Sequence, residues 1–156
     1  MAESMITDEM RALIGVDGPE TVSEVTSTGC RLFARAVGHT DLIFYDRDIA
    51  RERGYRDIVA PPGFLGSPVF RPGENVETGG HARAKTRFRR ILNGGTTFEY
   101  FEPLCAGDVV HSRSKVTEYQ ERQGSIGPML ITFRETSYVR SDGMLVAKMY
   151  GSLINY

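Results

Sequence analysis

Two periodicities divide this chain. Over residues 6–14, ITDEMRALI, the apolar positions Ile6, Met10, Leu13 and Ile14 recur at helical spacing, and Gly15 with Gly18-Pro19 ends the run, which predicts a short helix. TVSEV (21–25) alternates as a strand does. Thr26 or Ser27 then supplies a side-chain oxygen to cap a helix through CRLFARAV to Gly38, with Leu32, Phe33, Ala36 and Val37 as its buried face. Residues 46–54, DRDIARERG, predict another short helix with Asp46 as N-cap and Gly54 as its stop. From residue 97 the pattern changes. TFEYF (97–101), VVHSRSKVTEYQERQ (109–123), GPMLITFRETSYVR (127–140) and MLVAKMYGSLINY (144–156) are rich in Val, Ile, Thr, Tyr and Phe and read as antiparallel strands. GSIG (124–127) and SDG (141–143) carry the Gly and Asp of hairpin turns, so the last three strands should form a meander. The class is α+β: helices first, then a long curved sheet.

Between these halves lies YRDIVAPPGFLGSPVF. Its APPG predicts an extended approach into a helix starting near Pro62, because proline is tolerated in a first turn where its missing N–H is not needed. That helix would bury Phe64, Leu65, Val69 and Phe70, shortened by Gly66 and Pro68. RPGENVETGGHA, running to about residue 82, is a Gly-, Pro- and acid-rich loop suited to a lid. Asn93-Gly94-Gly95 reads as a turn leading into TFEYF.

No repeat or long linker divides the 156 residues, whose 40% hydrophobic and 25% charged content suits one domain. Nineteen basic against 20 acidic side chains leave a formal charge of −1, so no global field favours nucleic acid or an anionic membrane. The N-terminus has Glu3, Asp8 and Glu9 and no apolar core of a signal peptide, and no stretch of about 18 apolar residues occurs, so a soluble cytoplasmic setting is expected.

Candidate chemistry is sparse. Cys30 and Cys105 lie outside any CxxC spacing and read as small apolar fillers. His39, His81 and His111 show no HxH or HExxH arrangement, so neither a metal nor a cofactor is expected. Glu99, Glu102 and Asp108 read as structural carboxylates. In HARAKTRFRR, Arg83, Lys85, Arg87 and Arg89 occupy alternate positions; on an extended segment they form one positive face, fit either to receive coenzyme A phosphates or an acidic carrier protein, or simply to keep a sheet edge solvated.

Taken together, a helix ending in AVG, the segment GYRDIVAPPGF, the run LNGGTTFEYFEPLCAGDVV and a long meander resemble the MaoC-like hot-dog proteins, and more narrowly the fatty-acid-synthase-type dehydratase domain. The resemblance spans residues 6–156 and implies a long central helix wrapped by an antiparallel sheet, with two such units pairing to build an acyl-thioester tunnel. It implies hydration of an enoyl thioester or dehydration of a hydroxyacyl thioester, run by an aspartate and a histidine five positions apart that share acid and base roles on one water.

Aligned to that pattern, Gly38-His39-Thr40-Asp41-Leu42-Ile43-Phe44 puts His39 on the aspartate position and Phe44 on the histidine position. Phenylalanine transfers no proton. Ala60-Pro61-Pro62-Gly63 stands where the family carries a His-Gly pair whose glycine N–H serves the thioester oxygen, which leaves Gly63 or Phe64 to donate. Three readings follow. The chain is the substrate-binding half of a heterodimer whose second MaoC-like chain supplies the dyad. Alternatively it is a homo-oligomeric lyase or thioesterase with a rearranged site of His39 and Asp41, completed by Tyr45, Asp46 or His81. The third reading is a non-catalytic acyl-thioester-binding module. In each, acyl-CoA or an acyl-carrier protein is the ligand, Phe44, Tyr45, Gly63, Phe64, Leu65 and Phe70 hold the acyl group, and Arg83, Lys85 and Arg87 meet its carrier.

Overall fold

The computed structural model describes residues 4–66, 86 and 88–156. In chain order these form α1 (Asp8–Leu13), β1 (Thr21–Glu24), α2 (Ser27–Val37), a 3-10 turn (Leu42–Phe44), α3 (Arg47–Glu52), a second 3-10 turn (Phe64–Gly66), β2 (Ile91–Tyr100), β3 (Val109–Gly124), β4 (Gly127–Arg140) and β5 (Leu145–Asn155). The strands make one antiparallel sheet in the order β1-β3-β4-β5-β2, with the expected meander β3-β4-β5 at its centre.

The helix ends obey the capping residues in the sequence. Thr7 accepts from the Met10 N–H and Thr26 from the Gly29 N–H, while Asp46 takes both the Asp48 and Ile49 N–H groups. Gly38 stops α2 at φ 80°, a left-handed conformation that costs a side-chain-bearing residue more than glycine, and this lets the His39 N–H reach back to the Ala34 carbonyl at 2.9 Å.

The face that α2 buries differs from the one the apolar pattern suggests. Cys30 and Ala34, four residues apart, are fully buried and Phe33 half-buried, whereas Leu32 and Val37 are exposed, by 61% and 52%, and Ala36 is exposed too. Cys30 enters the core with a small side chain, while the larger Leu32 and Val37 stay outside it. Cys30 joins Val25, Ile58, Leu104, Val110, Tyr138, Val146 and Ala147 in the main core, which Phe64, Leu65, Phe98 and Met149 extend. α2 has eleven residues, short for the long central helix expected.

β2 also departs from expectation. It begins at Ile91, and Asn93-Gly94-Gly95 is a bulge within the strand, not a turn before it: Asn93 pairs with Leu153 and Gly95 with Ser152, leaving Gly94 as the extra residue. A Cβ on Gly94 would stand 2.5 Å from the Ser152 hydroxyl oxygen, so a side chain there would force Ser152 to turn aside. Of the helix expected from Pro62, the described part is the single 3-10 turn Phe64–Gly66. Val69, Phe70, the acidic Gly-Pro loop, His81, Arg83, Lys85 and Arg87 lie outside the described residues. No helix among the described residues is long and apolar enough to cross a membrane.

Candidate functional site

Three chain segments enclose a cavity of about 380 Å³: the 3-10 turn with Ile43 and Phe44, the strip Tyr55 to Leu65 with Val59, Ala60, Pro61, Pro62 and Phe64, and Tyr100-Phe101-Glu102-Pro103-Leu104 at the end of β2. Backbone hydrogen bonds lace them together. The Val59 N–H reaches the Ile43 carbonyl at 3.0 Å, the Ala60 N–H the Leu104 carbonyl at 2.8 Å, and the Ala106 N–H the Ile58 carbonyl at 2.8 Å. The proline pair therefore belongs to the cavity wall: its missing N–H groups lie in a strip that pairs on either side of them.

A polar fixture stands behind this wall. Arg56 and Asp108, from the GYRD and AGD motifs, form an ion pair in which Asp108 is 7% exposed and also accepts the Cys105 N–H at 2.9 Å. Hydrogen bonding to Asp108 strengthens the hold of Arg56 on its proton. Asp108 thus shapes the turn carrying Cys105, and the Val25 N–H on its carbonyl, at 2.8 Å, ties that turn to the start of α2.

The residues singled out in the sequence divide into two groups. Phe44, Phe64 and Leu65 line the cavity. His39 and Asp41 do not: the His39 ring packs against Phe44 with centroids 5.4 Å apart, so the imidazole sits behind a lining residue. Asp41 is occupied twice, accepting from the Ile43 N–H at 3.1 Å as the cap of the 3-10 turn and pairing with Arg53 Nη1 at 2.8 and 3.0 Å. Tyr45 donates its hydroxyl to the His39 carbonyl at 2.6 Å, fixing the loop, and Asp46 caps α3. The two N–H groups expected for a thioester oxygen are both engaged. Gly63 donates to the Tyr100 hydroxyl oxygen at 2.8 Å and Phe64 to the Pro61 carbonyl at 3.0 Å.

Tyr100 is the site residue that the residue-by-residue reading missed, although it lies in the EYFEPL run that carries the resemblance. Its ring stacks on Phe98 at 5.7 Å, and burial raises its phenol pKa, with the Gly63 N–H acting in the opposite sense. Next to the core, burial and then the neighbouring Cys105 push the Cys30 thiol up to about 11, so it stays protonated and is no nucleophile at neutral pH. His111 joins Glu20 at 3.0 Å and Ser141 at 3.2 Å, but Glu20 is shared with Arg113, and none of these residues lines the cavity. Glu99 receives the Tyr150 hydroxyl at 3.4 Å on the sheet surface. Among the described residues no cluster of three or more His, Cys, Asp or Glu side chains is placed to hold a metal ion.

Comparison with known proteins places this geometry. The sequence model of the FAS1-like dehydratase domain region matches residues 12–149. A UPF0336 protein of Thermobifida fusca is 35% identical over 106 residues, which span 65% of this chain and 66% of that protein. Among solved structures, the HadBC 3R-hydroxyacyl-ACP dehydratase complex of Mycobacterium tuberculosis superposes with a TM-score of 0.70 at 23% identity, over 96% of this chain and 98% of the matched chain. The ChsH1-ChsH2 complex of the same organism superposes with a TM-score of 0.71 at 15% identity, over 90% and 88%. Both are complexes of two different chains. This chain belongs to the FAS1-like dehydratase domain family and has the α+β hot-dog fold of the MaoC-like dehydratases and (R)-hydratases.

Proposed function

We propose that this chain is the substrate-binding half of a hetero-oligomeric hydro-lyase, holding the acyl chain of a CoA or carrier-protein thioester while a second hot-dog chain supplies the acid and base. The observation that carries this reading is the mismatch between the cavity and its chemistry. The cavity is large and mostly apolar, yet Phe44 stands at the family's histidine position on its wall. His39 is turned against that phenylalanine, and Asp41 is committed to Arg53. Among the described residues that line the cavity none is an aspartate or a histidine, so chemistry by the family's dyad needs a partner.

The edge of the sheet supports the need for one. β2 lies at the border of the sheet with nearly every residue exposed, Ile91 and Leu92 among them, and a long edge strand presents unpaired backbone groups that proteins ordinarily cover. Pairing with a second hot-dog unit would bury it. The heteromeric assemblies named for the two structural neighbours give the same reading independent support.

Hydration of a panel of enoyl-CoA esters by the purified chain, alone and mixed with a MaoC-like chain that retains an intact Asp-to-His segment, tests the proposal. Turnover that requires the mixture and survives His39→Ala is the expected result. A second reading, a rearranged site in this chain, is favoured only by the nearness of the His39 ring to the wall residue Phe44. It requires turnover by the chain alone that disappears in His39→Ala; release of free thiol would then identify a thioesterase.

A further inference from the structure

A pocket for a thioester must recognise more than a hydrocarbon tail, and the polar groups on this cavity wall are few. Glu102 offers, when ionised, only acceptors and so gives nothing to a carbonyl oxygen. The backbone N–H groups of Gly63 and Phe64 are already used. Two phenols remain, Tyr55 and Tyr100. Among the described residues the Tyr55 hydroxyl has no hydrogen-bond partner to fix it, whereas the Tyr100 oxygen is held at 2.8 Å by the Gly63 N–H.

That hydrogen bond leaves Tyr100 oriented as a donor. Its oxygen is the acceptor from Gly63, and among the described residues its own proton meets no acceptor. An oxygen that accepts one hydrogen bond donates a stronger one. The ring is fixed as well, stacked on Phe98 at an interplanar angle of 16°. Phe98 in turn lies 6.4 Å from the ring of Tyr138, whose buried hydroxyl reaches the Leu65 carbonyl at 3.2 Å. Gly63 has a φ of 87°, a left-handed conformation that favours glycine. The backbone N–H that orients Tyr100 is therefore set by a residue with little freedom to change.

We infer that Tyr100 is the specificity-determining residue of this cavity, its hydroxyl, held by the Gly63 N–H, donating to the carbonyl oxygen of an acyl thioester. The inference rests on the reading of the cavity as an acyl-thioester pocket. It assigns to a side chain the role for which Gly63 and Phe64 are not free.

Calorimetric binding of hexanoyl-CoA and of hexyl-CoA, the thioether without the carbonyl, to the full chain and to Tyr100→Phe tests it. The wild type should prefer the thioester by about tenfold, the worth of one neutral hydrogen bond. Tyr100→Phe should erase that preference while binding the thioether as before, which also shows that the variant is folded and its pocket intact. Equal binding of the two ligands by the wild type overturns the inference, as does a preference that persists in Tyr100→Phe; in both cases the acyl pocket itself stands. Binding of neither ligand to the wild type overturns the reading of the cavity and the inference with it.

Discussion

Arg56 Nη2 lies 2.9 and 2.7 Å from the two carboxylate oxygens of Asp108, fifty-two positions further along the chain. One of those oxygens also accepts the N–H of the buried Cys105, at 2.9 Å. The guanidinium is largely exposed and the carboxylate is not, so the two partners respond differently to loss of the pair. Water can solvate Arg56 again; nothing replaces Asp108 for the Cys105 N–H.

Asp108→Ala should therefore destabilise the fold by about 1–3 kcal/mol, the cost of stranding a buried donor. Asp108→Asn, whose amide oxygen can still accept, should cost less, and Arg56→Ala should cost less than Asp108→Ala. Urea midpoints at constant slope rank the three variants; an Arg56→Ala as damaging as Asp108→Ala would show that the ion pair rather than the backbone bond dominates.

Helix α2 depends on its first turn. The Thr26 hydroxyl oxygen accepts the Gly29 N–H at 3.0 Å, so Thr26→Ala should cost about 1 kcal/mol and Thr26→Ser almost nothing. Thermal unfolding of both variants checks this, with equal losses counting against the cap.

Caps and turns were legible in the sequence because they depend on one side chain and its immediate neighbours: Thr26, Asp46 and Gly38 act within a few residues of themselves. The meander was legible for a related reason, since long β-rich runs joined by Gly- and Asp-bearing turns have few alternatives. The inner face of α2 was not. Leu32 and Val37 are the more hydrophobic choice, but which face turns inward is set by core partners distant in sequence, such as Val110, Tyr138 and Val146, and these meet Cys30. Asn93-Gly94-Gly95 carries turn chemistry, and only pairing with β5 turns it into a bulge. The cavity was half legible: Phe44, Phe64 and Leu65 were visible, but Tyr100 acquires its role from a hydrogen bond to Gly63, thirty-seven residues away.

Glu135 gives the sheet a response to acid. It lies between Lys115 on β3 and Lys148 on β5, at 3.3 and 3.4 Å. Partial burial pushes its carboxyl pKa up, but the hydrogen bond and charge of Lys115, with Lys148, outweigh that and hold it below the usual carboxylate range. A folded-state pKa below the unfolded one means that the stabilisation is complete above the unfolded value, about 4.3, and is lost as pH falls through the lowered one. Wild type should exceed Glu135→Gln in thermal stability near pH 7, by under about 1 kcal/mol because both lysines are partly solvated. The difference should close as the pH drops below about 4. A gap that widens on acidification would reverse the sign of the coupling.

His39 and Phe44 occupy the positions at which the family resemblance places aspartate and histidine, and their rings already lie 5.4 Å apart. If only the identity of these side chains denies this chain a dyad, then His39→Asp combined with Phe44→His should confer enoyl-CoA hydration on the chain alone, while each single substitution stays inactive, because a lone acid or base completes neither half of the proton transfer. Correctly placed acid–base groups are worth about a hundredfold or more each, so even a poorly aligned pair should rise above the background rate. Two consequences separate the explanations for inactivity. A double variant that hydrates without a partner shows that the cavity and backbone are competent and that the chain has lost only its proton-transfer groups. A double variant that binds hexanoyl-CoA but remains inactive shows that, with the N–H groups of Gly63 and Phe64 engaged, the Tyr100 hydroxyl alone does not give the developing enolate oxygen the electrostatic stabilisation that catalysis needs.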